Sequence, residues 1–127
     1  MARTALPITA LAQAGLVTPA GTGIDVANGM NIAVQSSAIP SANDAYGLIL
    51  QFANTFAGSK TITVRAGVQP PAYRNLLGDL VVTCTQATWL IGPLEPARFA
   101  QADGSINIDF QAATTGTINA FLVPREY

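Results

Sequence analysis

Apolar and polar residues alternate with a period of two along much of this chain, and that period predicts strands. Thr61-Ile62-Thr63-Val64-Arg65 alternates strictly, with Ile62 and Val64 on one face. Ile106-Asn107-Ile108-Asp109-Phe110 does the same and turns Asn107 and Asp109 outward. Thr117 to Leu122 aligns Ile118, Ala120 and Leu122. The continuous apolar runs Tyr46 to Phe52 and Leu80 to Cys84 predict strands covered on both faces. Asn31 to Gln35, Thr88 to Ile91 and Arg98 to Gln101 are shorter candidates.

Turn chemistry separates these runs. Asn28-Gly29 and Asp103-Gly104 are hairpin dipeptides. Ala57-Gly58-Ser59 joins the Phe52 strand to the Ile62 strand, and Gln69-Pro70-Pro71 is a loop. Gly92-Pro93 and Glu95-Pro96 predict a rigid corner between the Trp89 and Phe99 strands. Residues 1–23 keep no period for long and are broken by Pro7, Gly15, Pro19, Gly21 and Gly23, so they read as an arm. About eight short strands and no long helix follow. The expected fold is all-β: an antiparallel β-sandwich, jelly-roll-like, with an extended N-terminal arm (1–23) on a single domain (24–127).

Composition sharpens this picture. Only 10% of the 127 residues are charged while 50% are hydrophobic, against a usual charged share of ~25%. With 6 basic and 7 acidic residues, no basic surface is expected for nucleic acid. Pro7, Thr9, Gln13 and Gly15 interrupt the apolar N-terminus, so neither a signal peptide nor a membrane span is expected. Cys84 is the single cysteine, which leaves no disulfide within the chain and reads as a small buried hydrophobe.

Catalytic chemistry finds little to work with. The chain has no histidine, so the commonest general base and metal ligand is missing. Gly21-Thr22-Gly23 lacks the third glycine and the helix of a dinucleotide fingerprint. Gly58-Ser59-Lys60-Thr61 leads into a strand, where a phosphate loop needs a helix. Asp103 and Asp109 are explained by a turn and a polar strand face. No enzyme, cofactor or metal site is expected. The residues that suit a protein interface are Arg3, Leu6, Ile8 and Leu11 in the arm, together with Trp89, Arg98, Arg125 and Tyr127.

Leu90-Ile91-Gly92-Pro93-Leu94-Glu95-Pro96-Ala97-Arg98-Phe99, followed by Gln101 to Phe110, resembles the head decoration (capsid cement) proteins of tailed bacteriophages. Gly23 to Gly29, Lys60 to Ala66 and Thr117 to Ala120 are similar to the same family. Ser36 to Ala45 and the longer apolar arm depart from it. The resemblance implies a structural protein on the outer surface of a virion capsid, made in the host cytoplasm. Its partners would be the major capsid protein and further copies of itself, with a homotrimer favoured. Two other readings stay open: a tail or connector structural protein, and a carbohydrate-binding sandwich using Trp89, Tyr46 and Tyr73.

Overall fold

A computed structural model describes residues 3–10, 15, 17–33, 48–68, 75–94, 96–101 and 105–122. Its strands are β1 (Thr4–Ala5), β2 (Ile8–Ala10), β3 (Thr22–Gly23), β4 (Met30–Ile32) and β5 (Leu48–Asn54). They continue with β6 (Lys60–Val64), β7 (Leu80–Cys84), β8 (Thr88–Leu94), β9 (Ile106–Phe110) and β10 (Gly116–Leu122). They build two sheets. The first runs β1-β4-β9-β6-β7; the second runs β2-β10-β5-β8, with β3 also paired to β10. The chain is therefore an all-β sandwich.

The strands are organised as ribbons. β3 and β4, β5 and β6, β7 and β8, and β9 and β10 are consecutive pairs, each with one strand in either sheet. Both sheets take these ribbons in the same order, as β3-β10-β5-β8 and β4-β9-β6-β7, with every pairing antiparallel. β1 and β2 are added in parallel, to β4 and to β10.

Strand alternation explains the core. β5 buries Leu48, Leu50, Phe52 and Asn54 and leaves the residues between them half-exposed. β9 buries Ile106, Ile108 and Phe110, while β10 contributes Ile118, Ala120 and Leu122. Met30, Ile32, Ile62 and Val64 complete the seam from the first sheet. Phe52 and Phe110 meet across it with ring centroids 5.8 Å apart, inside the range of favourable tilted ring pairs. Asn54, buried at the end of β5, is satisfied by turns. Its amide donates to the carbonyls of Cys84 (3.0 Å) and Thr85 (3.1 Å), and its Oδ1 accepts the Phe56 N–H (3.0 Å).

Several expectations change. The expected N-terminal arm does not project: β1 joins the first sheet, β2 and β3 join the second, and Leu6 is buried between them. Its backbone is extended, as expected, and the edges of β4 and β10 give that backbone its hydrogen bonds. Gly92-Pro93 is not a corner but lies inside β8. There Leu48 pairs with Leu94 and Leu50 with Ile91, so β8 carries one extra residue, a bulge with Gly92 at φ 132°. Arg98-Phe99 is not a strand: Pro96 opens a helical turn, Pro96–Phe99, where its missing N–H costs nothing. Leu80 to Cys84 is an edge strand with Val81 and Thr83 exposed, rather than a strand covered on both faces. Asn28-Gly29 and Ala57-Gly58-Ser59 carry the chain between sheets instead of closing hairpins within one. Asp103-Gly104 lies outside the described residues.

Phe52 is fully buried at the centre of this seam. Phe52→Ala is expected to cost about 3–5 kcal/mol of unfolding free energy, read as a lowered denaturation midpoint at unchanged slope.

Candidate functional site

The outer face of the first sheet carries a chain of alternating charges. Arg3 places Nη1 2.6 Å from Asp109 Oδ1 and also donates to the Ile108 carbonyl at 3.1 Å. Arg65 approaches the other oxygen of Asp109 at 3.5 Å and Asp79 at 3.3 Å. Asp79 in turn accepts the Ala66 N–H at 2.6 Å. The run Arg3–Asp109–Arg65–Asp79 thus crosses the sheet from the N-terminal segment to the start of β7. It is neutral overall and partly solvated, so each pair is worth only about 0–1 kcal/mol. Its effect is to fix the neighbouring elements, and it projects no net field toward a ligand.

The N-terminal segment is fastened at the same place. Asp25 accepts hydrogen bonds from the Thr4 hydroxyl (2.5 Å), the Asn28 N–H (3.0 Å) and the Asn28 amide (3.2 Å). The Thr4 hydroxyl is the largest influence and, with Asn28, holds the Asp25 carboxyl below its ordinary value of 3.8. The backbone adds Thr4 N–H to Gly29 carbonyl at 3.1 Å and Leu6 N–H to Asn31 carbonyl at 2.9 Å.

The expected interface residues separate into groups. Leu6, expected at an interface, is 3% exposed and sits in the core of this chain. Its side chain fills the seam where the segment passes from one sheet to the other. Ile8 is half-buried against the core. Arg3 is engaged with Asp109, and Arg98 donates to the carbonyls of Gly78 (3.0 Å) and Asp79 (3.3 Å) with its guanidinium 4.9 Å from the Phe99 ring. Both arginines are thus used within the chain. Trp89 packs half-buried on the core, and its indole N–H donates to the Thr85 carbonyl at 3.2 Å. Leu11, Arg125 and Tyr127 lie outside the described residues, as do Tyr46 and Tyr73 of the carbohydrate reading.

The other candidate sites resolve into structural roles. Lys60 donates to the Ala112 carbonyl at 2.9 Å and sits 4.3 Å from the Phe56 ring, so Gly58-Ser59-Lys60 forms a connection and not a phosphate cradle. Cys84 is buried, and desolvation pushes its thiol above the ordinary value. Among the described residues no three His, Cys, Asp or Glu side chains gather into a metal-binding group. No helix among them is long and apolar enough to cross a membrane.

One surface was missed in the sequence. β7 and β8 are the outermost strands of their sheets on the same side of the sandwich. From Leu80 through Leu94 there is no charged residue. Val81 (58% exposed) stands on the outer face of one sheet and Leu90 (72%) on the outer face of the other, with Leu77 (54%) just before β7. Natural edge strands are usually blunted by charges, proline or bulges. β8 has Pro93 and its bulge, but β7 has none of these devices. The signal was legible as a charge-free stretch; periodicity alone did not tell an edge from a centre.

No family model, curated protein or solved structure matches this chain.

Two outcomes follow from this geometry. Because Trp89 is half-buried, Trp89→Ala should cost about 2 kcal/mol, below the ~3–5 kcal/mol of a fully buried aromatic, as read by denaturant titration. Asp25 has a lowered folded-state value. Its contribution is therefore complete above the unfolded carboxylate range (about pH 4) and fades as pH falls through the lowered value. Amide exchange at Thr4 should rise in that acidic window relative to exchange in β5, and Asp25→Asn should remove the difference.

Proposed function

We propose that this chain is a structural virion protein that binds the outer surface of a phage capsid and stabilises it, acting as a homotrimer on the major capsid protein. The observation that carries this reading is the uncharged β7–β8 side of the sandwich, which presents Val81, Leu90 and two sheet edges together. Such a surface suits contact with protein, where apolar burial supplies ~25 cal/mol per Å² before association costs. The resemblance supports it further, since Leu90 to Phe110 runs from this side through the helical turn into β9. The reading includes a jelly-roll topology for the sandwich, which the shared ribbon order of the two sheets supports. This architecture recurs in viral shells and in lectins, so it permits the function without dictating it.

The neutral charge chain and the scattered cations leave little for long-range attraction. At 0.15 M salt the screening length is ~8 Å, and isolated surface pairs contribute little. Binding to the shell is therefore expected to survive a several-fold rise in salt. Val81→Asp with Leu90→Asp should abolish it while the circular dichroism spectrum stays β. Co-sedimentation of the protein with capsids lacking it, across a salt series, measures both. Release by moderate salt alone would overturn the apolar reading. Rings along the tail axis, seen by imaging labelled particles, would favour the tail or connector role instead.

A further inference from the structure

The segment from Arg3 to Ala10 is a clasp whose backbone pairs with the two sheets at β4 and β10. β1 pairs two residues with β4, β2 pairs three with β10, and both pairings are parallel, the weaker kind per residue. Thr4 and Ala5 are exposed; among the side chains described, the one deeply buried is Leu6. Ile8 packs half-buried against the core, and the other side-chain and backbone ties are polar: Arg3 to Asp109 and the Ile108 carbonyl, Thr4 to Asp25, and two backbone bonds to Gly29 and Asn31. Few buried contacts and solvent-facing hydrogen bonds are the marks of an element that opens locally before the rest unfolds.

An empty clasp site is unfavourable. It would leave the β4 edge and the Ala120–Leu122 stretch of β10 unpaired, and a socket where Leu6 had been. The site therefore favours a replacement carrying the same features: a cation for Asp109, a hydroxyl for Asp25, and an apolar side chain for the socket, on an extended backbone. The same segment of a second copy has all of them in the correct register. Exchange between copies re-forms every bond and adds no new requirement, which makes it a low-cost route to association.

We propose that the clasp is exchangeable: in the assembled protein, Arg3 to Ala10 of one copy seats on β4 and β10 of a second copy. This rests on the oligomeric reading above. The exchange is reciprocal or closes a ring, so no copy is left with an empty site.

Disulfide trapping tests it. Ala5 and Asn31 are register partners, and adjacent strands lie about 4.8 Å apart, within disulfide reach. Ala5→Cys with Asn31→Cys, in a Cys84→Ala background, is oxidised as the assembled protein and run on a non-reducing gel. A ladder of covalent dimer and trimer is expected. An intramolecular disulfide, or none in a protein whose β spectrum is intact, overturns the exchange. Thr4→Cys with Asp25→Cys, both at the surface, repeats the test where loss of the Asn31 bonds to Ser105 and Asn107 destabilises the first variant. Light scattering on the same samples separates the two ideas. Trimers with only intramolecular disulfides overturn exchange and leave the oligomer standing, whereas monomers throughout overturn both.

Discussion

A single apolar seam between two sheets is the constraint on which the rest of this structure depends. Packed sheets lie about 10 Å apart, so each strand must give every second side chain to the space between them. β5 and β9 do this without a break, burying alternate residues along their whole length, and β10 does so until Phe121, which is buried as well. Because consecutive strands fall in opposite sheets through most of the chain, each connection must cross the seam's rim, where polar backbone would otherwise be stranded. Asn54 shows the local solution: one buried amide satisfies the carbonyls of two residues after β7 begins to turn, Cys84 and Thr85, and fixes the turn after its own strand.

A sandwich of this kind does not close on itself, and its edges have to be managed. The two sides of this molecule do so differently. On the side of β4 and β10 the chain supplies its own cover, with β1 and β2 laid on the edges and Leu6 set into the core. The Arg3–Asp109 pair and the Thr4–Asp25 bond hold that cover at its start. On the β7–β8 side, among the described residues, no strand pairs with the outer edges, and neither strand carries a charge. One side is latched by charges; on the other the strands themselves carry none, and the charge chain stops at Asp79, just before β7.

The sequence made the central strands legible because burial on one face writes itself as alternation. Ile62 and Val64, Ile106 and Ile108, and Ile118, Ala120 and Leu122 all occupy the inner face expected of them. What alternation does not encode is whether a strand has one neighbour or two. Leu80 to Cys84 reads as a fully covered strand, yet Val81 is exposed because nothing described lies beyond β7. The Gly92-Pro93 pair reads as a break, but an extra residue in β8 absorbs it as a bulge, a tertiary accommodation that local chemistry does not announce. The N-terminal segment reads as an arm for a related reason. Strands of two and three residues are too short to show a period, and their partners lie far along the chain. For the candidate site, Arg3 and Arg98 were found as conspicuous cations in a chain poor in charge. That they bond to Asp109, Gly78 and Asp79 of the same chain depended on contacts across the fold, which residue type does not reveal.

Charge economy then has a consequence for association. Identical subunits crowded on one surface repel in proportion to the charge each carries, so a nearly neutral subunit packs at little electrostatic cost. Neutrality also removes a protection against indiscriminate pairing, and an uncharged edge such as β7 is where that risk concentrates. The composition of the edge moderates it. Thr83, Thr85, Gln86 and Thr88 surround Val81 and Leu90, so each apolar side chain stands among uncharged hydrogen-bonding groups instead of in a continuous greasy patch. Such a surface gains little from any one casual encounter. It gains steadily from a partner whose shape buries the leucine and valine while meeting the threonine and glutamine groups with complementary donors and acceptors. Specificity of that kind comes from shape and hydrogen bonding together, and repetition over many copies raises the total hold without requiring any single contact to be strong.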